Sequence, residues 1–295
     1  MKLGVLLPPE LNGGADPDWL TRFAVAVEQC GFDEISVVEH SVVIGATASP
    51  YPYSPSGRSP LPDDCALPDP LEVLSFLAAR TTRVGLATGM LVLPNHHPVV
   101  LAKRLATLDQ LSGGRLRVGI GLGWMREEIE ACGGDFDRRG ADADESIRAM
   151  RALWQGRDPA GVTFAGARYH FAAAHSWPKP SRPSGVPIYI GGHSNAAARR
   201  AGRLGDGFQP LGLAGESLRA ALAVLAAEAR AVGRDPAEID LVLGGTLGRV
   251  DQAHLDECAG WGASRVLLSP SRGISDLDGL IEQLQACARR LGLGS

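Results

Sequence analysis

Glu39 and His40 stand directly after the apolar run "EISVV", residues 34–38. Histidine titrates near neutral pH, so a histidine at a strand end suits proton donation or a hydrogen bond to a reacting carbonyl. A second cluster is "VGIGLGW", residues 118–124, where Gly119, Gly121 and Gly123 alternate with other residues. Its pattern is G-x-G-x-G, and no acidic residue ends a strand about twenty residues later, which weakens a dinucleotide-binding reading. Glycines at the end of a strand either let a flat ring system approach the backbone or fill a tight interior. Just beyond them, Trp124 precedes Glu127 and Glu128, carboxylates in the first turn of a helix, where they favour the helix dipole. The stretch "GGHSNAAARRAGRLG", residues 191–205, reads as strand end, glycine pair, cap and helix. Gly191, Gly192, His193 and Ser194 could present backbone N–H groups to a phosphate there, with Ser194 either capping the helix or bonding the phosphate. His96 and His97 are adjacent, so their side chains diverge, and no carboxylate or cysteine flanks them at ligand spacing. They read as loop residues, and no metal site is expected.

These residues need a scaffold, and the apolar pattern supplies one. Short apolar runs occur at 3–7, 34–38, 83–89, 116–121, 187–192, 207–211, 239–245 and 265–269. They are nearly continuous rather than alternating, as expected of parallel strands covered on both faces. Helical patterns lie between them. Residues 17–30 follow Asp16 with Pro17 at the first helical position, and 69–80 begin similarly with Asp69-Pro70. In 98–111, Leu101, Leu105 and Leu108 share one face. Further helices fit 139–155, 194–204, 215–232, 251–261 and 276–291. Eight strand–helix units predict an α/β fold, a (β/α)8 TIM barrel, as one domain over 1–295; a doubly wound sheet is the alternative. Long loops are expected after strands 2 and 4. Residues 44–70 carry seven prolines, with Tyr51 and Tyr53. Residues 156–186 contain Phe164, Tyr169, Phe171 and Trp177. Either stretch could form a substrate lid or a solvent-exposed wrap.

The chain is 45% hydrophobic and 21% charged, with a net charge of −4, so nothing suggests a nucleic-acid partner. Five cysteines, in no C-x-x-C pair, argue for reduced thiols and against a zinc site. No run approaches the ~18 apolar residues of a membrane span. The first residues read as a strand rather than a signal segment, so a cytoplasmic protein with no membrane partner is expected.

The segments "AKRLATLDQLSGGRLRVGIGLGWMREEIEACG", "RGADADESIRAMRALW", "PDPLEVLSFLAARTTRVGLATGMLVLP" and "PKPSRPSGVPIYIGGHSNAAARRAGRLGDGF" resemble the luciferase-like monooxygenase superfamily. The nearer resemblance is to its deazaflavin branch, the F(420)-dependent oxidoreductases. It covers roughly residues 1–250 and implies a TIM barrel that binds coenzyme F(420), an 8-hydroxy-5-deazaflavin, with FMN as the alternative cofactor. The implied reaction is hydride transfer between the deazaflavin C5 and a small-molecule organic substrate, in an enzyme that works as a homodimer. His40, with Glu39, would be catalytic; this chain has Glu39 where the family more commonly has Asp. Thr88, Gly89 and Met90 would prop the ring through a bulge with a cis Gly89–Met90 peptide. Gly121, Gly123, Trp124 and Glu127 would lie near the ring and its side chain, and Gly191, Gly192, His193 and Ser194 would hold the phosphate. Two other functions stay open: an FMN-dependent monooxygenase using O2, and a non-catalytic flavin-binding protein whose pocket the proline-rich loop blocks.

Overall fold

Asp16 and Asp69 do what a carboxylate before a proline should. In the computed structural model, Asp16 Oδ1 accepts from the Asp18 and Trp19 N–H groups and starts α1 (Pro17–Gln29). Asp69 Oδ1 accepts from Leu71 and Glu72 and starts α2 (Pro70–Arg80). Each cap satisfies N–H groups that the first helical turn cannot. The structure describes residues 1–295 apart from 9, 10, 12–14, 46, 53, 60, 211 and 295. Tyr53, and Leu211 at the end of the sixth expected strand, therefore lie outside the described residues.

The strands are β1 (Lys2–Leu6), β2 (Glu34–Val37), β3 (Gly85–Val92), β4 (Leu116–Gly121), β5 (Val162–Ala165), β6 (His170–Ala174), β7 (Ile188–Gly191), β8 (Gly207–Gln209), β9 (Asp240–Thr246) and β10 (Arg265–Ser269). Among the described residues, β1, β2, β3, β4, β7, β8, β9 and β10 pair in that order, all parallel, and close on β1. Helices α3 (Pro98–Leu111), α4 (Arg126–Ala131), α5 (Arg139–Gln155), α6 (Asn195–Leu204), α7 (Gly215–Ala231), α8 (Gln252–Gly260) and α9 (Leu277–Leu291) complete the surround. Leu101, Leu105 and Leu108 of α3 are buried on one face. The (β/α)8 barrel is thus the observed fold, and the doubly wound alternative falls because the sheet closes. No helix among the described residues is long and apolar enough to cross a membrane.

One of the two long stretches departs from expectation. Residues 156–186 follow α5 and contain the antiparallel hairpin of β5 and β6. Its tip is tied to α5: Glu145 accepts from the N–H groups of Ala167, Arg168 and Tyr169 at 3.0, 3.0 and 2.6 Å. The hairpin thus packs against α5.

The N-terminal end of the barrel is closed by charge rather than by apolar side chains alone. Glu34, at the start of β2, is buried and accepts from Arg117 Nε at 2.9 Å and from Arg117 Nη2. The Arg117 guanidinium lies 4.3 Å from the centroid of the Tyr189 ring, and Arg265 reaches Glu34 at 3.5 Å. Burial alone would raise the Glu34 carboxyl, but the charge and hydrogen bonds of Arg117 hold it below its ordinary value. Tyr189 is pushed up to about 12 by burial and by its bond to Asp240. Breaking a buried pair strands a charge and costs about 3–5 kcal/mol. Arg117→Met is expected to lower unfolding stability by that order in denaturant melts, and Glu34→Met with Arg117→Met to recover much of the loss.

Candidate functional site

At the opposite, C-terminal end of the strands a cleft of about 780 Å³ opens. Its floor comes from β3. The β3–β4 register slips between Thr88 and Leu91, forming a bulge that contains Gly89 and Met90, and the Gly89–Met90 peptide is cis. Thr88 itself is fully buried, its Oγ1 donating to the Gly119 carbonyl at 2.7 Å. Met90 fills the room that three glycines leave. A Cβ at Gly191 would lie 2.7 Å from Met90 Cγ and one at Gly121 3.3 Å from Met90 Cβ, while one at Gly119 would strike the Thr88 carbonyl oxygen before it met Met90 Cε at 3.0 Å. The bare backbone of "VGIGLGW" therefore admits the methionine beneath the cleft. Gly123 is required for its backbone instead, because its φ of +71° makes a left-handed turn that is disfavoured for a residue with a side chain.

One wall is built by β2 and the carboxylates that fasten its following loop. Glu39 accepts from the Val92 N–H at 2.5 Å and bonds His96 Nε2 at 2.8 Å. Both oxygens are engaged, so Glu39 acts as a strut between the ends of β2 and β3. His96 is accordingly more than a loop residue. His40 Nδ1 lies 2.8 Å from Glu128 Oε2. A carboxylate only accepts, so Nδ1 carries the hydrogen and Nε2 is left to face other chemistry. Glu128 is buried, and its other oxygen accepts from the Ser41 N–H at 2.6 Å and from Asn95 Nδ2 at 3.2 Å.

The neighbouring Glu127 turns to a different part of the same loop. It accepts from Thr47 Oγ1, the Ala48 N–H and Ser49 Oγ, each at 2.8 Å. The hydrogen bonds it receives hold its carboxyl down at about 2. It lines the cleft, yet its oxygens are taken by the loop. Fastened in this way, Ala48 to Pro52 border the cleft, and Tyr51 packs edge-on against Trp124 at 5.2 Å. Trp124 in turn meets the His40 ring at 6.2 Å. The proline-rich stretch thus borders the cleft as a lid would. No described residue of 156–186 lines it, so the lid expectation for that stretch is not met.

The far wall is the end of β7 and the start of α6. Gly191, Gly192, His193 and Ser194 all line the cleft. Ser194 caps α6, its Oγ accepting from the Ala197 N–H at 3.2 Å. The Gly192 N–H donates to the Gln209 carbonyl at 3.3 Å, so it is turned into the barrel. Among the expected site residues, then, Glu39, His40, Met90, Gly121, Gly123, Trp124, Glu127 and residues 191–194 meet around one cleft, while Thr88 and Gly89 lie beneath its floor. Sequence reasoning missed Glu128 as the partner of His40, because a first-turn carboxylate already had an explanation. It also missed Arg139 and Arg200, which line the cleft.

Residues 1–249 match the family model described as luciferase-like monooxygenase. An uncharacterized protein of Mycobacterium tuberculosis is 36% identical over 180 residues, 60% of this chain and 61% of its own length. An F420-dependent glucose-6-phosphate dehydrogenase of Nakamurella multipartita is 34% identical over 195 residues, 65% of this chain and 51% of that protein. The matched regions thus span between half and two thirds of these relatives. The crystal structure of the monooxygenase RslO1 from Streptomyces bottropensis superposes with a TM-score of 0.77 at 23% identity, covering 99% of this chain and 98% of that one.

Glu127→Ala removes three hydrogen bonds from the loop and none from the barrel. Hydrogen exchange at Ala48 is expected to speed up by an order of magnitude or more, with the strand amides unchanged.

Proposed function

The chain belongs to the luciferase-like monooxygenase family, and on that premise we propose that it is an oxidoreductase that uses coenzyme F(420) on a small organic substrate. The observation that carries the proposal is a single cleft joining two kinds of group. At one end is an imidazole held in one tautomer by a buried carboxylate; at the other is the anion-favouring start of a helix. The residues present fit a phosphate-bearing flat ring. Met90 and its glycine surround give a floor without a projecting charge, and the volume of about 780 Å³ suits a ligand of that size. The identity to an F420-dependent dehydrogenase supports the deazaflavin over FMN.

Bound there, the deazaflavin would exchange a hydride with the substrate at C5. The protein's own part is positional and acid–base. Glu128 fixes the His40 ring through Nδ1–H, so that Nε2 can hydrogen-bond a substrate oxygen and hold or release a proton there. Trp124 and Tyr51 wall off the same end with aromatic surface and help exclude water. The phosphate would be received at the start of α6, by His193 and Ser194, since the Gly192 N–H is already spent on Gln209. The proline-rich loop borders the cleft without filling it, which counts against a non-catalytic flavin-binding protein.

Equilibrium titration read by fluorescence tests the cofactor. F(420) is expected to bind at least tenfold more tightly than FMN, a gap of ~1.4 kcal/mol. His40→Ala is expected to retain that affinity, since the imidazole serves the substrate. Equal or reversed affinities would replace the deazaflavin reading with the FMN monooxygenase.

A further inference from the structure

We infer that Arg139, the first residue of α5, anchors a phosphate-class anion on the ligand that fills the cleft. This rests on the reading of the cleft as the seat of a phosphate-bearing ring cofactor, and it adds a side-chain cation to the anion-favouring start of α6.

Three arginines line the cleft, and they differ in what neutralises them. Arg126 is closed on Asp137 at 2.7 and 3.0 Å and on Glu130 at 3.1 Å. Arg200 is buried and is paired with Asp144 through Nε. Arg139 forms no ion pair among the described residues. Its Nη1 donates to the Phe136 carbonyl at 2.5 Å, its guanidinium lies 3.6 Å from the centroid of the Phe136 ring, and its Nε is buried without a partner. An arginine cannot shed its proton in such a place as a lysine could, so it stays a cation. Burial and the positive neighbours Arg126 and Arg200 weaken its hold on that proton, with Asp137 acting in the opposite sense. A partly buried cation with no carboxylate closed on it is destabilised until an anion arrives.

The location agrees. Arg200 projects from α6 and donates through Nη2 to the carbonyl of Gly140, the residue after Arg139, at 2.9 Å. That bond ties the start of α5 to α6, whose first turn and Ser194 cap border the same cleft. With Nη1 on the Phe136 carbonyl and Nε buried, Nη2 is the end of the guanidinium left to donate a charge-assisted hydrogen bond to a phosphate oxygen.

The same anion could belong to the cofactor or to the substrate, and binding assays separate the two. The probes are F(420), FMN, riboflavin (the FMN ring system without its phosphate) and inorganic phosphate, titrated against wild type, Arg139→Gln and Arg139→Lys, with thermal melting as the folding control. The expected result is that Arg139→Gln weakens the phosphate-bearing cofactors at least tenfold and riboflavin by less than twofold, with Arg139→Lys in between. If cofactor affinities hold but inorganic phosphate binding to the cofactor-loaded protein is lost, the anion is the substrate's and Arg139 is still its anchor. Failure of F(420) alone to bind would remove the deazaflavin reading while FMN against riboflavin still tests Arg139. If neither cofactor binds, protection of the wild type by inorganic phosphate, lost in Arg139→Gln, decides the matter. Equal weakening of FMN and riboflavin, or no response from any probe, would overturn the inference.

Discussion

Between the pairs Thr88–Val118 and Leu91–Ile120, β3 advances three residues while β4 advances two. A parallel ladder can absorb that mismatch only by bulging, and the bulge turns Met90 across the end of the barrel. The neighbouring strands must then give way. Gly121 on β4 and Gly191 on β7 have no side chain, and Met90 crowds the space a Cβ would need; at Gly119 the Thr88 carbonyl oxygen takes that space first. Gly89 meets the same demand from below, where a Cβ would strike Ser36 Oγ. The floor, its shape and the room above it all descend from that one extra residue.

Around this floor the loops are organised by carboxylates rather than by apolar packing. Glu39 joins the ends of β2 and β3, Glu128 holds His40 and Ser41, and Glu127 holds residues 47–49. Glu127 and Glu128 are consecutive on α4, so a single helical turn fastens two successive parts of the loop that follows β2. The charges at the other end of the barrel serve a different purpose. Glu34, Arg117 and Arg265 are internally paired and lie at the N-terminal ends of their strands, away from the cleft. In a TIM barrel the C-terminal end carries chemistry and the N-terminal end stability, and the distribution of ionic groups here follows that division.

The barrel was legible because it rests on local signals. Continuous apolar runs gave all eight of its strands, and Asp16-Pro17 and Asp69-Pro70 marked their helices through the same caps the structure shows. The cleft was legible in part. His40, Trp124 and residues 191–194 sit at strand ends, which sequence can locate. The roles within it depend on pairings about eighty residues apart, such as His40 with Glu128 or Glu127 with Ser49, and no local pattern encodes them. The glycines of "VGIGLGW" posed the choice between admitting a ring and filling an interior. Their neighbour proved to be Met90, thirty residues away on the adjacent strand. For residues 156–186 the choice between lid and wrap stayed open because aromatic content in a long connection does not say which face it covers, and Glu145 draws the hairpin against α5.

The central claim is that a flat ring cofactor lies on the Met90 floor, with its reactive face toward His40. The direct measurement is an experimental structure of the protein saturated with F(420). The expected density places the ring against Met90 and Gly121, its phosphate at residues 191–194, and His40 Nε2 on the open face of the ring. Density for the ring elsewhere on the barrel, or with His40 on the far side of Met90 from it, would contradict the claim.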